Sequence, residues 1–265
     1  MKISTLFTAL LLGIVTTVNA QMDDRFYQPS QSMNVLDLGG KTEMVKLPVD
    51  QDTITAYVVK PEVKTIKKTI VFFHGAAGNV STYQYIVHPL VKAGYQVVAV
   101  DVRGYGKSTG KPTHTNVAED GQKMLDLVMQ RSDVKDTKVY LYGASLGSQV
   151  ATHLAAKNKA KLSGLIIDGG MASFGDIAAV FAPQYKDYIF QMLAGVYSAK
   201  QDVANTAGLP KLLIYSKKDS VVPFAQGEEL YKAASEPKTF LEFNSEHIQG
   251  LKDETKLVLN AIEKL

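Results

Sequence analysis

Six short runs rich in large apolar residues, Thr69 to Phe73, Gln96 to Val100, Val139 to Tyr142, Leu162 to Ile167, Lys211 to Tyr215 and Thr239 to Phe243, recur along the chain with longer segments between them. Runs of this length that lack a clean polar face are buried on both sides, which is the signature of strands in a parallel sheet covered by helices. The intervening segments carry apolar residues at helical spacing, as in Val117, Gly121, Met124, Leu125 and Val128, or Leu146, Val150, Ala151 and Leu154. Strand and helix alternating in this way predict an α/β fold, a mostly parallel central sheet with helices on both faces. In such sheets, ligands sit at the carboxyl-terminal edge of the strands. The loops after Phe73, Val100, Tyr142, Ile167, Tyr215 and Phe243 therefore hold the candidate site.

Ahead of the first of these runs, Glu43 to Leu47 and Thr53 to Lys60 read as a hairpin turning at Pro48 to Asp52. Ser81 with Gln84, and Asn116 with Glu119, have the spacing of capping boxes and predict helix starts near those positions. From Phe224 to Ala234 a helix is expected, and a final amphipathic helix through Leu251, Leu257 and Ile262. Residues 171–207 are helical in pattern, rich in aromatic groups, and longer than an ordinary crossover. They read as a small cap over an acyl pocket, or equally as additional core or a dimer face.

Met1 to Ala20 has one early cation, Lys2, an uncharged stretch from Ile3 to Val15, and small residues Val18 and Ala20 at the end. This is the layout of a cleaved secretory signal, so the mature chain from residue 21 is expected as a single exported domain, secreted or periplasmic, with no stable membrane anchor. The alternative is an uncleaved anchor, which the Thr and Ser content weakens. Gln21 to Gln31 is polar and reads as a loose arm.

The chain's 265 residues include no cysteine, which excludes thiolate nucleophiles, disulfides and cysteine zinc sites. Cations occur singly or in pairs at a formal net charge of +3, leaving no basic footprint for nucleic acid. The densest run, Lys157, Lys159 and Lys161, falls where a helix ends and suits its dipole. Gly106-Lys107-Ser108 imitates the end of a phosphate-binding P-loop, but Asp101 occupies the position of the required glycine and Pro112 forbids the helix. Asp101 and Arg103 are expected to pair with each other or to brace neighbouring loops. No metal cluster is indicated, and no cofactor.

Chemistry concentrates at Ser145. Gly143 and Gly147 flank it as G-x-S-x-G between a predicted strand and a predicted helix, the setting of a nucleophile held on a sharp turn. A serine hydroxyl needs a base, and the base needs a carboxylate. Of five histidines, His247 alone lies in an edge loop after the serine; His114 is the reserve, and His74 reads as a packed loop residue. Asp219 is the preferred acid, with Asp168 the alternative, while Glu246 is expected to face solvent. The backbone N–H groups of Leu146 and Ala76, the latter in His74-Gly75-Ala76-Ala77-Gly78, are the candidate oxyanion donors.

His-Gly-Ala-Ala-Gly-Asn at 74–79, Asp-Val-Arg-Gly-Tyr-Gly-Lys-Ser-Thr-Gly-Lys-Pro at 101–112 and Gly-Ala-Ser-Leu-Gly at 143–147 together resemble the α/β-hydrolase family, in the branch of monoglyceride lipase-like and depalmitoylase-like serine hydrolases. The resemblance runs from Thr53 to the C-terminal helix. It implies hydrolysis of a carboxylic ester or thioester without a cofactor, with Ser145, Asp219 and His247 as nucleophile, acid and base; the expected partner is a small-molecule ester of a small or medium acyl group. Ala76 stands where that branch often has a polar residue, and Asp168-Gly169-Gly170 replaces its usual Ser-Pro-Phe-type segment. A serine peptidase or amidase, or a catalytically silent binding protein, could occupy the same fold.

Overall fold

A computed structural model describes residues 22–265; the expected leader, residues 1–20, lies outside them. Eight strands form the central sheet: β1 (Lys41–Val49), β2 (Asp52–Lys60), β3 (Lys68–Phe73), β4 (Gln96–Asp101), β5 (Lys138–Ala144), β6 (Gly164–Asp168), β7 (Lys211–Ser216) and β8 (Lys238–Phe243). Their spatial order is β8-β7-β6-β5-β3-β4-β2-β1. β1 pairs antiparallel with β2, and β2 antiparallel with β4; every other pairing is parallel. The expected hairpin is present with a tighter turn. Val49 pairs with Asp52, so only two residues turn, and Asp50 takes the positive φ of 54° that such a turn demands.

The helices are α1 (Gln84–Lys92), α2 (His114–Met129), α3 (Gly147–Asn158), α4 (Phe174–Phe181), α5 (Lys186–Met192), α6 (Ala199–Ala204), α7 (Phe224–Ala233), α8 (Gly250–Asp253) and α9 (Thr255–Glu263). Because strand side chains alternate, each apolar strand feeds two cores. Val71, Phe73, Val98, Val100, Leu141, Ile167 and Leu213 face the side covered by α2, α3, α6 and α7. Ile70, Phe72, Val97, Tyr142, Ile166 and Ile214 face the side covered by α1, α8 and α9. Each fully buried side chain of this size contributes ~1.5–3 kcal/mol, so the sheet is the stability centre. No helix among the described residues is long and apolar enough to cross a membrane.

Local chemistry departs from the sequence reading in several places. Ser81 does not cap α1: its hydroxyl donates to Asn79 Oδ1 and accepts from the Asn34 N–H, while Gln84 Oε1 accepts from the Asp37 N–H. The 32–40 segment uses the polar groups that a cap would have used. In α2 the capping residue is Thr113, which exchanges hydrogen bonds with Asn116, so the helix starts earlier than the Asn116–Glu119 spacing suggests. The final helix is divided at Glu254, and Leu257 is turned outward, leaving Val258 and Ile262 on the buried face. Residues 171–207 form three short helices, α4 to α6, with Pro183 breaking the first from the second. Asp101 and Arg103 do not pair with each other. Asp101 accepts from the Val80 and Lys107 N–H groups, whereas the buried Arg103 guanidinium grips both Asp120 oxygens (2.7 and 2.8 Å) and also Asp52.

The largest departure concerns the arm. Residues 22–26 are helical, Gln28–Pro29 pairs in parallel with Ala77–Gly78, and the Gln28 N–H meets the Ala76 carbonyl (3.0 Å). Asp23 is buried and accepts from the His114 N–H (2.8 Å), and the His114 ring is packed among Phe26, Tyr27 and Phe174. Met22, Phe26 and Tyr27 supply the apolar anchors hidden in a polar stretch. The segment is thus a strap fastened across the strand edge.

Two outcomes follow from this packing. Arg103→Met leaves Asp120 and Asp52 without their cation, and a loss of about 3–5 kcal/mol in urea unfolding is expected. Burial holds His114 neutral, its pKa lowered from 6.5 to about 4. Between those values the unfolded chain takes up a proton that the folded imidazole refuses, so stability falls as pH drops through the window. Wild type should lose about 2 kcal/mol more than His114→Phe between pH 7 and pH 5, measured by urea unfolding; the Asp23 bond, made to the backbone, persists in the variant.

Candidate active site

β5 ends at Ala144 and α3 begins at Gly147, so the chain must reverse within two residues. Ser145 does this with φ of 52°, in the left-handed region that a side chain disfavours. Its carbonyl accepts from the Ser148 N–H (3.0 Å) and hydroxyl (2.6 Å), and its N–H donates to the Asp168 carbonyl (2.8 Å). The flanking glycines are required by space. A Cβ on Gly143 would collide with the Ser148 backbone, and one on Gly147 with the Phe73 and His74 carbonyls.

Across the edge, the loop after β8 presents His247 and the loop after β7 presents Asp219. His247 Nδ1 donates to Asp219 Oδ2 at 2.6 Å. The other carboxylate oxygen, Oδ1, accepts from the Val221 and Val222 N–H groups, both at 2.8 Å, which fixes the carboxylate at 1% side-chain exposure. With Nδ1 committed as a donor, the imidazole is set in one tautomer and Nε2 is the free basic nitrogen. That nitrogen is buried and has no hydrogen-bond partner among the described residues. Ser145 and His247 do not share a hydrogen bond in this structure, but they flank one turn: Asp168 holds the Ser145 N–H, and a Cβ on the next residue, Gly169, would lie 3.0 Å from His247 Cε1.

Neither the Ala76 nor the Leu146 N–H donates to an acceptor among the described residues, and both residues line the same cavity as Ser145. The Ala76 loop is held from behind, since its carbonyl accepts from the Gln28 N–H and from the Tyr105 hydroxyl (2.6 Å). Gly75 is the close-approach residue of this loop: a Cβ there would meet the Tyr83 hydroxyl and Ser145 Cβ.

The remaining candidates have other partners. Asp168 is buried, accepts from the Tyr142 hydroxyl (2.6 Å) and makes no bond to His247; burial pushes its carboxyl up to about 6. His74 Nδ1 donates to the Gly75 carbonyl (2.8 Å) and its Nε2 accepts from the Val102 N–H (3.2 Å), so both nitrogens brace loops and burial lowers its basicity. His114 is locked under the strap, and His153 pairs with Asp202 (2.9 Å) on the far part of α3. Glu246 takes no part in the Asp219–His247 pair. Among the described residues no three His, Cys, Asp or Glu side chains gather as a metal site.

The cavity over Ser145 has a volume of about 760 Å³. Ile177, Phe181, Tyr185, Ile189 and Met192 from α4, α5 and their connection form its apolar wall, and Met22, Arg25, Phe26 and Gln28 of the strap form another. The sequence reading missed the strap. The available signal was Met22 and Phe26, spaced four apart in an otherwise polar stretch.

Comparison with known proteins agrees with this architecture. A family model described as serine aminopeptidase, S33, matches residues 64–200, more than half of the chain. The Escherichia coli K12 protein YfhR, itself uncharacterised, is 33% identical over 187 residues, covering 70% of this chain and 64% of YfhR. Protein bem46 of Schizosaccharomyces pombe is 30% identical over 176 residues (66% of this chain, 59% of bem46). The lysophosphatidylserine lipase ABHD12 of Xenopus tropicalis is 27% identical over 203 residues, 69% of this chain and 51% of ABHD12. The chain thus spans between about half and two thirds of the length of these relatives. Among solved structures, an esterase of Pyrococcus furiosus superposes with a TM-score of 0.71 at 14% identity, covering 90% of this chain and 96% of the esterase. Est1E of Butyrivibrio proteoclasticus, solved with ferulic acid, gives 0.69 at 18% identity, covering 83% and 96%. With the sheet order, the Ser145 turn and these matches together, the chain belongs to the α/β-hydrolase family covered by the serine aminopeptidase S33 model.

Proposed function

We propose that this chain is a serine hydrolase that cleaves a carboxylic ester, or a thioester, through an acyl-enzyme on Ser145. The observation that carries the reading is the Asp219–His247 pair, whose buried and unbonded Nε2 belongs to the same strand edge as a serine raised on a strained turn at the wall of an apolar cavity. His247 Nε2 takes the Ser145 proton as Oγ attacks the acyl carbon, and Asp219 stabilises the imidazolium that forms. The Ala76 and Leu146 N–H groups receive the developing oxyanion. The imidazolium then returns the proton to the leaving alcohol or thiol, and water activated by the same nitrogen releases the acid. Serine–histidine contacts of this kind commonly tighten when substrate binds.

The lining supports an ester over a peptide. A peptidase that holds a substrate amine needs a carboxylate in the pocket, and no Asp or Glu lines the cavity among the described residues. Asp176, in the first turn of α4, is occupied: it accepts from the Ser173 hydroxyl (2.7 Å) and faces Lys200 (3.7 Å). Esterases among the structural neighbours and a lipase among the relatives are in keeping with this choice. Export of the mature chain is a further part of the proposal, and rests on the leader-like residues 1–20.

A fluorophosphonate probe should label the wild-type protein and leave Ser145→Ala unlabelled; equal labelling of both would place the nucleophile elsewhere. Asp219→Asn, which keeps shape but disturbs the tautomer of His247, should lower kcat on a p-nitrophenyl ester by about 10⁴. An unchanged kcat in that variant would remove Asp219 from the mechanism.

A further inference from the structure

Arginine is scarce in this chain: Arg25, Arg103 and Arg131 are the only three. Two of them are consumed by structure. Arg103 is held by Asp120 and Asp52, and Arg131 by Asp133 and Glu43. Arg25 is different. Its sequence neighbours are acidic, yet Asp23 is buried against the His114 N–H and Asp24 pairs with Lys111 (2.8 Å), so neither neutralises it. Among the described residues no carboxylate lies within 4 Å of its guanidinium. It is also the one charged side chain lining the Ser145 cavity among those residues.

Polarity within that cavity is asymmetric. The wall from α4 and α5 is apolar save for the Tyr185 and Tyr188 hydroxyls, while the strap contributes a guanidinium and the Gln28 amide. The strap is joined directly to the oxyanion loop, through the Gln28 N–H on the Ala76 carbonyl, so a group held by Arg25 would have a fixed relation to the reacting carbonyl. A guanidinium presents a planar fork of donors that matches a carboxylate or phosphate in two-point contact, and the exposed Arg25 at the cavity's strap wall is open to such a group.

We propose that the substrate carries an anion on the alcohol side of its ester bond, a phosphate or a carboxylate, and that Arg25 binds it while the acyl chain lies along the α4–α5 wall. This assignment rests on the ester-hydrolase reading and narrows it to amphiphilic monoesters with one charged end.

The test compares esters of one acyl chain: 1-acylglycerol 3-phosphate, 1-acylglycerol, and a glyceric acid monoester, all below micelle-forming concentrations, with wild type, Arg25→Gln and Arg25→Lys. The wild-type ratio of kcat/KM for charged over neutral ester should exceed one, fall about tenfold or more in Arg25→Gln, and recover in part in Arg25→Lys. Whether the phosphate or the carboxylate ester shows the larger fall identifies the anion. A strap that matters only for folding would depress both esters alike and leave the ratio unmoved, which overturns the proposal. Calorimetric binding of 1-O-alkylglycerol 3-phosphate against 1-O-alkylglycerol, which cannot be hydrolysed at that position, separates the two readings. A preference for the phosphate that Arg25→Gln abolishes, in a protein that turns over no ester, would keep the anion site and sink the hydrolase. Turnover with no anion preference in either assay would do the reverse.

Discussion

The turn at Ser145 is the constraint to which the surrounding structure is fitted. A left-handed residue with a side chain costs about 1–2 kcal/mol, and the chain places one in the middle of a buried connection. Three hydrogen bonds, from Ser148 N–H and Oγ onto the Ser145 carbonyl and from the Ser145 N–H onto Asp168, hold the conformation. Each typically contributes ~1 kcal/mol, so together they offset the strain. The closeness of α3 to β3 does the rest. Gly147 lies where only a hydrogen fits against the Phe73 and His74 carbonyls, so the helix start, the loop after β3 and the serine are drawn into one small volume.

Asp219 and His247 reach the strand edge by a different route. Asp219 and His247 come from the loops after neighbouring strands β7 and β8, which pair in parallel register from Lys211–Lys238 to Ser216–Phe243. Register therefore sets how far each loop projects. Ser216 ties the two loops together, its hydroxyl engaging Ser245 on both backbone N–H and carbonyl. With two N–H groups and one imidazole on its oxygens, Asp219 has little freedom left, and His247 inherits that rigidity.

Much of this was legible in the residues. Buried strands and their crossovers followed from apolar runs at β spacing between segments at helical spacing, and the chemistry could be ranked by which loops fall on the strand C-terminal edge. His247 stood out as the one histidine that combines that edge position with a place after Ser145, whereas Asp219 shared those properties with Asp168. Other features were not legible, for identifiable reasons. Ser81 and Gln84 have capping spacing, but a capping signal is local, and the 32–40 segment, distant in sequence, takes both side chains. The N-terminal strap looked like a loose arm because its fastening points, Ala76, Tyr105 and His114, are dozens of residues away.

The order of residues alone determined the layered sheet, the glycine-flanked serine and the loops of the strand edge on which His247, Asp168 and Asp219 lie, because periodicity and backbone strain act over a few neighbouring positions. Tertiary structure decided which carboxylate met the imidazole. Asp168 and Asp219 were both available on the same edge, and only the pairing of β7 with β8 put one beside His247 while Tyr142 took the other. It also decided that Arg25 would face the cavity uncompensated. Long-range contacts made that choice: Asp23 turned inward to His114 and Asp24 outward to Lys111, and no local rule relates those partners to the strap.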